Sequence, residues 1–272
     1  MGTTPTSLPI SGLKRTTFDG YNMKGIDITV VLILAAGMFF SVRWKKLTIA
    51  AAITGALLGG IIYAGTGLIG LSMLTVFFIL GTAATSWKKN EKRSLPSITL
   101  TQPDGNIRPP TGNTYQPTRH TGQVFANAGV AAITGALMIC FPSGKVLLQV
   151  MMAASLAAAA ADTVSSELGM VYGRKFYNIL TGRRDQKGLD GVISIEGLLF
   201  GVAASAIIAS LYILGNRWSD RFWIILLAGT IGNVVDSLLG ATLERRQIIG
   251  NDTVNFLNTL AAALAAGALI LI

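Results

Sequence analysis

The chain has 272 residues, of which 51% are hydrophobic and 13% are charged, whereas soluble domains carry about 25% charged residues. The apolar residues form long continuous runs, which exclude a soluble domain and lack the alternation of a membrane β-barrel. The net charge of +9 comes largely from loops without interleaved aromatic residues, so we expect no nucleic-acid partner. A single cysteine, Cys140, and a single histidine, His120, exclude an internal disulfide and a cysteine- or histidine-rich metal site.

The apolar runs predict an all-α fold, a polytopic transmembrane helical bundle of about eight spans. Residues 1–25 form a polar N-terminal leader, and residues 26–272 form a single membrane domain. This domain divides into three spans within 26–87, a basic cytoplasmic loop at 88–121 and five spans within 122–272. The predicted spans are 26–42, 47–64, 65–87, 122–141, 146–171, 191–214, 222–243 and 251–272.

The loops between the spans alternate in charge. The first, third, fifth and seventh loops hold most of the 22 lysine and arginine residues. Because cytoplasmic loops carry an excess of these residues, we expect the odd-numbered loops in the cytoplasm and both termini outside. The protein is therefore predicted to be a multi-pass component of the inner (plasma) membrane.

Ionisable and amide side chains interrupt the later spans, although an ionisable group at the membrane centre costs roughly 2.5–3.5 kcal/mol. Under the predicted orientation they converge on the cytoplasmic halves of four helices, and Asn127 adds an amide in the fourth span. Such convergence indicates a site that faces the cytoplasm. The residues are Asp162, Glu167, Glu196, Asn233, Asp236, Ser237, Asn251, Asp252 and Asn255.

Helical spacing predicts one broad polar face on the fifth span, because Asp162 and Ser166, like Thr163 and Glu167, stand one helical turn apart. Carboxylates with amides and hydroxyls, without histidine or thiolate, are the ligands of a hard cation such as Mg²⁺. The predicted Mg²⁺ ligands are Asp162, Glu167, Asp236 and Asp252, of which the first three are also the predicted catalytic residues.

The fifth loop carries a cluster of cations and two glycines, Gly188 and Gly191. Guanidinium groups bind phosphate oxygens in pairs, and a glycine turn before a helix offers backbone N–H groups to an anion. Acids for Mg²⁺ beside cations for phosphate are typical of phosphoryl or nucleotidyl transfer, and the apolar bundle indicates a lipid co-substrate. The residues predicted to bind the nucleotide are Asn127, Ser166, Arg174, Arg183, Arg184, Lys187, Gly188, Glu196, Asn233, Ser237, Asn251 and Asn255.

Five blocks follow one another in the last five spans. They are Gln123-Val124-Phe125-Ala126-Asn127, Asp162-Thr163-x-Ser165-Ser166-Glu167, Ser194-x-Glu196-Gly197, Gly232-Asn233-x-x-Asp236-Ser237 and Asn251-Asp252-x-Val254-Asn255-Phe256. In this order they resemble the phytyl-phosphate kinase family of the vitamin E pathway, which has uncharacterised transmembrane relatives in archaea, bacteria and animals. The resemblance covers roughly residues 120–260, whereas the first hundred residues match only in being hydrophobic.

The resemblance implies an integral-membrane transferase, a polyprenyl- or phytyl-phosphate kinase. It would transfer a phosphoryl group from a nucleoside triphosphate, with CTP as the expected donor, to an isoprenoid monophosphate and give the diphosphate. Mg²⁺ and the nucleotide are the implied cofactors, and the isoprenoid monophosphate is the implied lipid partner. Where many relatives have Pro-Gly, this chain has Lys187-Gly188, which adds a cation beside the donor.

Two alternatives remain open at the level of sequence. Intramembrane acids and glycine-interrupted helices are also typical of an ion-coupled transporter, whose site would lie near the membrane midplane. A cytidylyltransferase acting on a lipid phosphate would release pyrophosphate instead of a nucleoside diphosphate. The sequence leaves the prenyl chain length, the nucleotide and the oligomeric state open, and a homodimer is one alternative.

Overall fold

The computed structural model describes residues 28–93, 118–216 and 219–272, so the polar leader and most of the predicted loop 88–121 lie outside the described residues. The described chain is almost entirely helical, and its one sheet is a two-stranded hairpin. The helices are α1 (Ile28–Arg43), α2 (Ile49–Thr66), α3 (Leu68–Ser86), α4 (Lys89–Arg93), α5 (Thr121–Cys140), α6 (Lys145–Tyr172), α7 (Ile195–Asn216), α8 (Arg221–Leu239) and α9 (Asn251–Leu271).

The predicted polytopic helical bundle is confirmed. Within the described part of the chain, seven helices are long and apolar enough to cross a membrane: α2, α3 and α5 to α9. The first predicted span corresponds to α1, which has 16 residues and is shorter than the others. The second and third predicted spans are two full helices joined by Gly67 alone, and the positive φ of 69° at this residue is one that glycine adopts without steric cost.

One predicted helix start is wrong. The sixth span was expected from residue 191, but residues 192–193 form strand β2 (Val192–Ile193), which pairs antiparallel with β1 (Tyr177–Asn178). Valine and isoleucine fit a strand as well as an apolar helix, so the hydrophobic run alone does not separate the two. The helix α7 begins only at Ile195.

Helix α6 lies at the centre and packs against α3, α5, α7, α8 and α9. Its residues 156–161, mostly alanine, are fully buried. Small residues on the neighbours allow close approach: a Cβ added at Gly232 would contact Ala158, and one added at Gly197 would lie 3.2 Å from the Cα of Gly169. In a membrane, helices associate through such close packing rather than through a hydrophobic driving force.

The four odd-numbered loops meet at one end of the bundle, which we call the basic-loop end. The connections after α1, α3, α6 and α8 all belong to it, and side chains and backbone link them to one another. The links are Thr48 N to Arg119 O at 3.1 Å, Trp87 Nε1 to Tyr172 Oη at 2.8 Å and Arg245 Nη2 to Asp185 Oδ2 at 2.8 Å. The alternating charge pattern therefore corresponds to two physically distinct ends.

The contact between α2 and α5 yields a stability prediction. A Cβ at Gly65 would overlap the backbone of Gly135, whereas one at Gly60 on the same helix meets nothing within 4 Å. Gly65→Ala should lower the free energy of unfolding by about 1–3 kcal/mol because the helices must move apart. Gly60→Ala should leave it unchanged or raise it. Thermal unfolding in detergent compares the two, and a Gly65→Ala protein as stable as Gly60→Ala would contradict the close approach.

Candidate active site

Two intramembrane carboxyl groups from different helices meet inside the bundle. Asp162 on α6 and Asp236 on α8 lie within hydrogen-bonding reach of each other, and Ser166 is within reach of Asp162. Asn258 on α9 donates from Nδ2 to Oδ1 of Asp236 at 3.0 Å. Residues from three helices thus form one polar centre. We call Asp162 and Asp236 the acidic pair, and Ser166 and Asn258 are its two neighbours.

The acidic pair lies toward the basic-loop end. Helix α6 ends at Tyr172 and the turn after α8 ends at Glu244. At 1.5 Å per residue, Asp162 lies about 15 Å, and Asp236 about 12 Å, before those ends. The pair is therefore inside the helical bundle but nearer to one end than to the other.

Two carboxylates in contact repel each other unless a proton or a cation lies between them. Mg²⁺ is commonly held by one or two carboxylates, with water and substrate phosphates in the remaining positions. The acidic pair fits this requirement, and Oδ1 of Asn258 is a buried oxygen without a hydrogen-bond partner among the described residues. Within the same residues, however, no group of three or more aspartate, glutamate, histidine or cysteine side chains is placed to hold a metal ion.

The structure therefore separates the four predicted metal ligands. Glu167 points away from the acidic pair and accepts a 2.6 Å hydrogen bond from Nζ of Lys92 on α4. Lys92 also donates to the backbone oxygens of Ala84 and Thr85, and its side chain is 2% exposed. Instead of one broad polar face, α6 presents two: Asp162 toward α8 and Glu167 toward α3 and α4.

Arg119 completes the surroundings of Glu167. Burial lowers the pKa of the Arg119 guanidinium, and the negative charge of Glu167 partly offsets this effect. Arginine still remains protonated at any physiological pH because its ordinary pKa is so high. Glu167 is thus hydrogen-bonded to Lys92 and lies close enough to Arg119 for their charges to interact.

The predicted residues of α9 lie closer to the basic-loop end. Asn251 and Asp252 open the helix, and Oδ2 of Asp252 is 3.7 Å from Nδ1 of His120. Asn255 is buried one turn further in. Asp252 therefore neighbours the start of α5, while Asn258, one turn beyond Asn255, reaches the acidic pair.

Three of the remaining predicted polar residues, Asn127, Ser237 and Glu196, form local hydrogen bonds. Asn127 donates to the backbone oxygen of Gln123 at 2.8 Å, and Ser237 donates to that of Asn233 at 3.3 Å. Asn233 is buried, and a Cβ added at Gly201 would lie 2.6 Å from its Nδ2. Glu196, in the first turn of α7, accepts from the backbone N–H of Arg174 at 3.4 Å. This contact directs the Glu196 side chain toward the fifth loop.

The fifth loop, residues 173–194, folds as a β-hairpin against the end of α8. Gly191 has a φ of 72°, and a Cβ there would overlap Ala241, so only glycine allows this contact. Gly188 also has a positive φ, of 88°, but an added Cβ there would meet open space. The hairpin thus brings the loop to the turn that follows Asp236 along the chain.

The predicted phosphate-binding cations are on this hairpin. Arg174, Arg183 and Arg184 are exposed, and Lys187 is half-buried with Nζ 5.7 Å from the centre of the Phe176 ring. Exposed guanidinium groups are suited to bind an anion such as phosphate through paired hydrogen bonds.

Sequence reasoning missed several residues of this region. Lys92 and Arg119 belong to a loop interpreted only as a topology signal, and their burial has no signature in one sequence. Glu244 was not considered, yet it lies in the π-helical turn Gly240–Glu244 close enough to Asp162 and Asp236 for their charges to interact. Its position directly after an apolar run was the available signal.

Comparison with known proteins identifies the family of this chain. Residues 31–263 match the family described as "Integral membrane protein DUF92". This match contains all five sequence blocks and confirms the resemblance on which they were grouped. It also begins at residue 31, so the family match extends well before the first of the five blocks.

Three relatives are informative. Protein VTE6, chloroplastic, of Arabidopsis thaliana is 28% identical over 217 residues, covering 77% of this chain and 61% of that protein. An uncharacterized membrane protein of Methanocaldococcus jannaschii is 35% identical over 145 residues, 52% of this chain and 58% of that protein. One of Synechocystis sp. is 31% identical over 215 residues, 77% of this chain and 78% of that protein. The chain thus spans about three fifths of the first two relatives, and no solved structure matches it.

The Lys92–Glu167 pair yields a stability prediction. Lys92→Met leaves Glu167 buried without its closest partner, which should cost about 3 kcal/mol of unfolding free energy. The double variant Lys92→Met/Glu167→Gln removes both charges and should recover much of that loss. Thermal unfolding of the single and double variants measures the coupling. Equal stability of Lys92→Met and the unmodified protein would contradict a buried pair.

The Asp185–Arg245 contact yields a pH prediction. Burial alone would raise the pKa of Asp185, but hydrogen bonds from the Gln186 N–H and Arg245, with the charge of Arg245, hold it below its usual value. Because the folded-state pKa is depressed, the contact stabilises the loop fully above about pH 4 and is lost as the pH falls further. Backbone hydrogen exchange of residues 173–194 should therefore accelerate at pH 3, after correction for the intrinsic rate.

Asp185→Asn supplies the control for this pH effect. It should exchange rapidly at both pH 7 and pH 3, because it cannot form the charged contact. A loop equally protected at both pH values in the unmodified protein would show that Asp185 does not anchor it.

Proposed function

The chain belongs to the integral membrane protein family DUF92, and we propose that it is a kinase acting on a lipid phosphate. It transfers a phosphoryl group from a nucleoside triphosphate, with CTP as the expected donor, to an isoprenoid monophosphate such as phytyl or another prenyl monophosphate. The observation that carries the proposal is the contact between Asp162 and Asp236 inside the bundle, beside a loop of exposed cations.

In this proposal, Asp162 and Asp236 hold Mg²⁺, with Ser166 and Asn258 fixing their carboxyl groups. Mg²⁺ held there would supply positive charge to neutralise the phosphates of donor and acceptor. Glu167 is bound by Lys92 and acts through that contact, so we assign it to positioning α4 and Arg119. This assignment narrows the predicted metal site from four carboxylates to two.

The cations of the fifth loop bind the phosphates of the donor. Arg174, Arg183 and Arg184 are exposed, and guanidinium groups bind phosphate oxygens through paired hydrogen bonds. The contact of Arg245 with Asp185 holds this loop against the end of α8, the helix that carries Asp236. Asn251, Asp252 and Asn255 at the start of α9 complete the nucleotide site at the same end of the bundle.

The reaction needs little proton transfer. An oxygen of the acceptor phosphate attacks the γ-phosphorus of the donor, and the bond to the bridging oxygen breaks, so that the nucleoside diphosphate leaves. The attacking oxygen is already ionised at neutral pH, so no strong general base is required. This agrees with a polar centre built from aspartates and amides rather than histidine.

The proposed location is the plasma membrane, with the basic-loop end in the cytoplasm. The excess of lysine and arginine in the loops of that end supports this orientation. Nucleoside triphosphates are available on the same side.

The proposal is tested with purified protein in lipid, Mg²⁺, a labelled prenyl monophosphate and each nucleoside triphosphate in turn. A prenyl diphosphate formed together with a nucleoside diphosphate would support the kinase and identify its donor. A CDP-lipid with pyrophosphate would show a cytidylyltransferase. No turnover with any donor or chain length would favour the ion-coupled transporter.

Variants of the acidic pair make the test specific. Asp162→Asn and Asp236→Asn should each lower turnover at least ~100-fold, because each removes a charge from the phosphoryl-transfer site. The matched control is Asp220→Asn, an exposed aspartate at the opposite end of the bundle, which should retain full turnover. Initial rates are compared after confirming equal thermal stability. Normal turnover by Asp162→Asn would exclude the proposed role.

A further inference from the structure

A cavity separate from the acidic pair lies between α1, α2, α3 and α5. Its volume is about 180 Å³, and most of its wall is hydrocarbon. We call it the α1–α5 cavity. Its apolar wall includes Leu34, Met38, Leu74, Phe78 and Val124.

One part of the wall is polar. Arg119, Gln123 and Asn127 line the cavity together. Oε1 of Gln123 and Oδ1 of Asn127 are buried and have no hydrogen-bond partner within the described residues. Buried polar atoms in folded proteins nearly always have a partner. Because both atoms are hydrogen-bond acceptors, they indicate a donor in the cavity, such as a water molecule bound to a ligand.

The charge beside the cavity is positive. Glu167 acts on Arg119 through its charge, but among the described residues its carboxylate is hydrogen-bonded to Lys92 and not to the guanidinium group. A guanidinium group matches the oxygens of a phosphate or carboxylate better than any neutral group does. An apolar cavity with one half-buried arginine at its wall is therefore complementary to an amphiphile with an anionic head group.

The polar end of the cavity also lies next to the acidic pair. A Cβ placed on Gly81 would be 2.7 Å from Nη2 of Arg119 and 3.3 Å from Cγ2 of Thr163. The guanidinium group is thus a neighbour of Thr163, the residue that follows Asp162 on α6. A phosphate held at Arg119 would be close to the residues proposed to carry out its phosphorylation.

We propose that the α1–α5 cavity binds the hydrocarbon chain of the isoprenoid monophosphate, with its phosphate at Arg119 and with water bound to that phosphate donating to Gln123 and Asn127. An apolar cavity of about 150 Å³ accommodates benzene, so this one holds the segment of a single chain nearest its head group. Such a volume favours one chain over the two chains of a phospholipid. The inference rests on the proposed kinase function, because that function supplies the identity of the amphiphile.

Gly37 gives a direct test, since it lines the cavity and an added Cβ there meets nothing within 4 Å. Gly37→Leu should fill the cavity without disturbing the helices. The matched control is Gly60→Leu, because Gly60 is also a helical glycine with open space around an added Cβ but does not line the cavity. Binding of labelled geranylgeranyl monophosphate is measured on the full chain in detergent, without nucleotide or Mg²⁺. Gly37→Leu should weaken binding about tenfold or more, and Gly60→Leu should not change it.

Arg119→Gln tests the head group separately. It should weaken binding of geranylgeranyl monophosphate about tenfold while leaving that of geranylgeraniol, which has no phosphate, unchanged. Thermal unfolding confirms that each variant is folded, and Gly37→Ala provides a milder filling if Gly37→Leu is unstable. Unchanged binding in folded Gly37→Leu would overturn the proposal. So would competition by phosphatidic acid as strong as that by the prenyl monophosphate, because the site would then be a general phospholipid site.

In this design the kinase proposal and the cavity assignment can fail independently of each other. If the cavity variants weaken binding but the unmodified protein transfers no phosphoryl group, the kinase proposal fails and the cavity remains a prenyl phosphate site. If turnover is normal while Gly37→Leu changes neither binding nor the KM for the lipid, the kinase stands and the cavity assignment fails.

Discussion

Two carboxyl groups on one helix, α6, govern the arrangement of the rest of the bundle: Asp162 is half-buried and Glu167 is buried. A membrane interior offers no water to solvate them, so each must find its partner within the protein. Asp162 meets Asp236 on α8, and Glu167 meets Lys92 on α4. Because these partners come from opposite sides of α6, the polar contacts connect the first part of the chain to the last four helices. The small, fully buried residues of α6 allow its neighbours to come close enough for both contacts.

Much of this organisation was predictable from sequence. The apolar runs predict the membrane helices. The alternating charge of the loops predicts the orientation of each helix, and this orientation places Asp162 and Asp236 at a similar depth. The direction of Glu167 did not follow: successive residues of a helix are about 100° apart, so two pairs spaced by one turn need not face the same neighbour. Its partner, Lys92, lies in a loop whose cations are explained equally well by topology, and no local pattern shows that one of them is buried.

The structure separates the tasks that a phosphoryl-transfer site requires. The acidic pair is half-buried between helices, whereas the proposed phosphate-binding arginines are on an exposed hairpin held by the Asp185–Arg245 contact. That hairpin is anchored on α8, on one side of α6. Arg119 and the α1–α5 cavity lie on the other side of α6. A water-soluble donor and a membrane-embedded acceptor would thus approach the same helix from different directions.

The single-residue connection at Gly67 also constrains how the protein enters the membrane. Helices α2 and α3 are each long enough to cross a bilayer, yet only one residue separates them, and the adjoining residues Thr66 and Leu68 carry no charge. Such a turn contains no polar segment that could remain in water after α2 has inserted and before α3 inserts. During synthesis the two helices must therefore enter the bilayer together as a hairpin, so that the translocation machinery handles them as one unit.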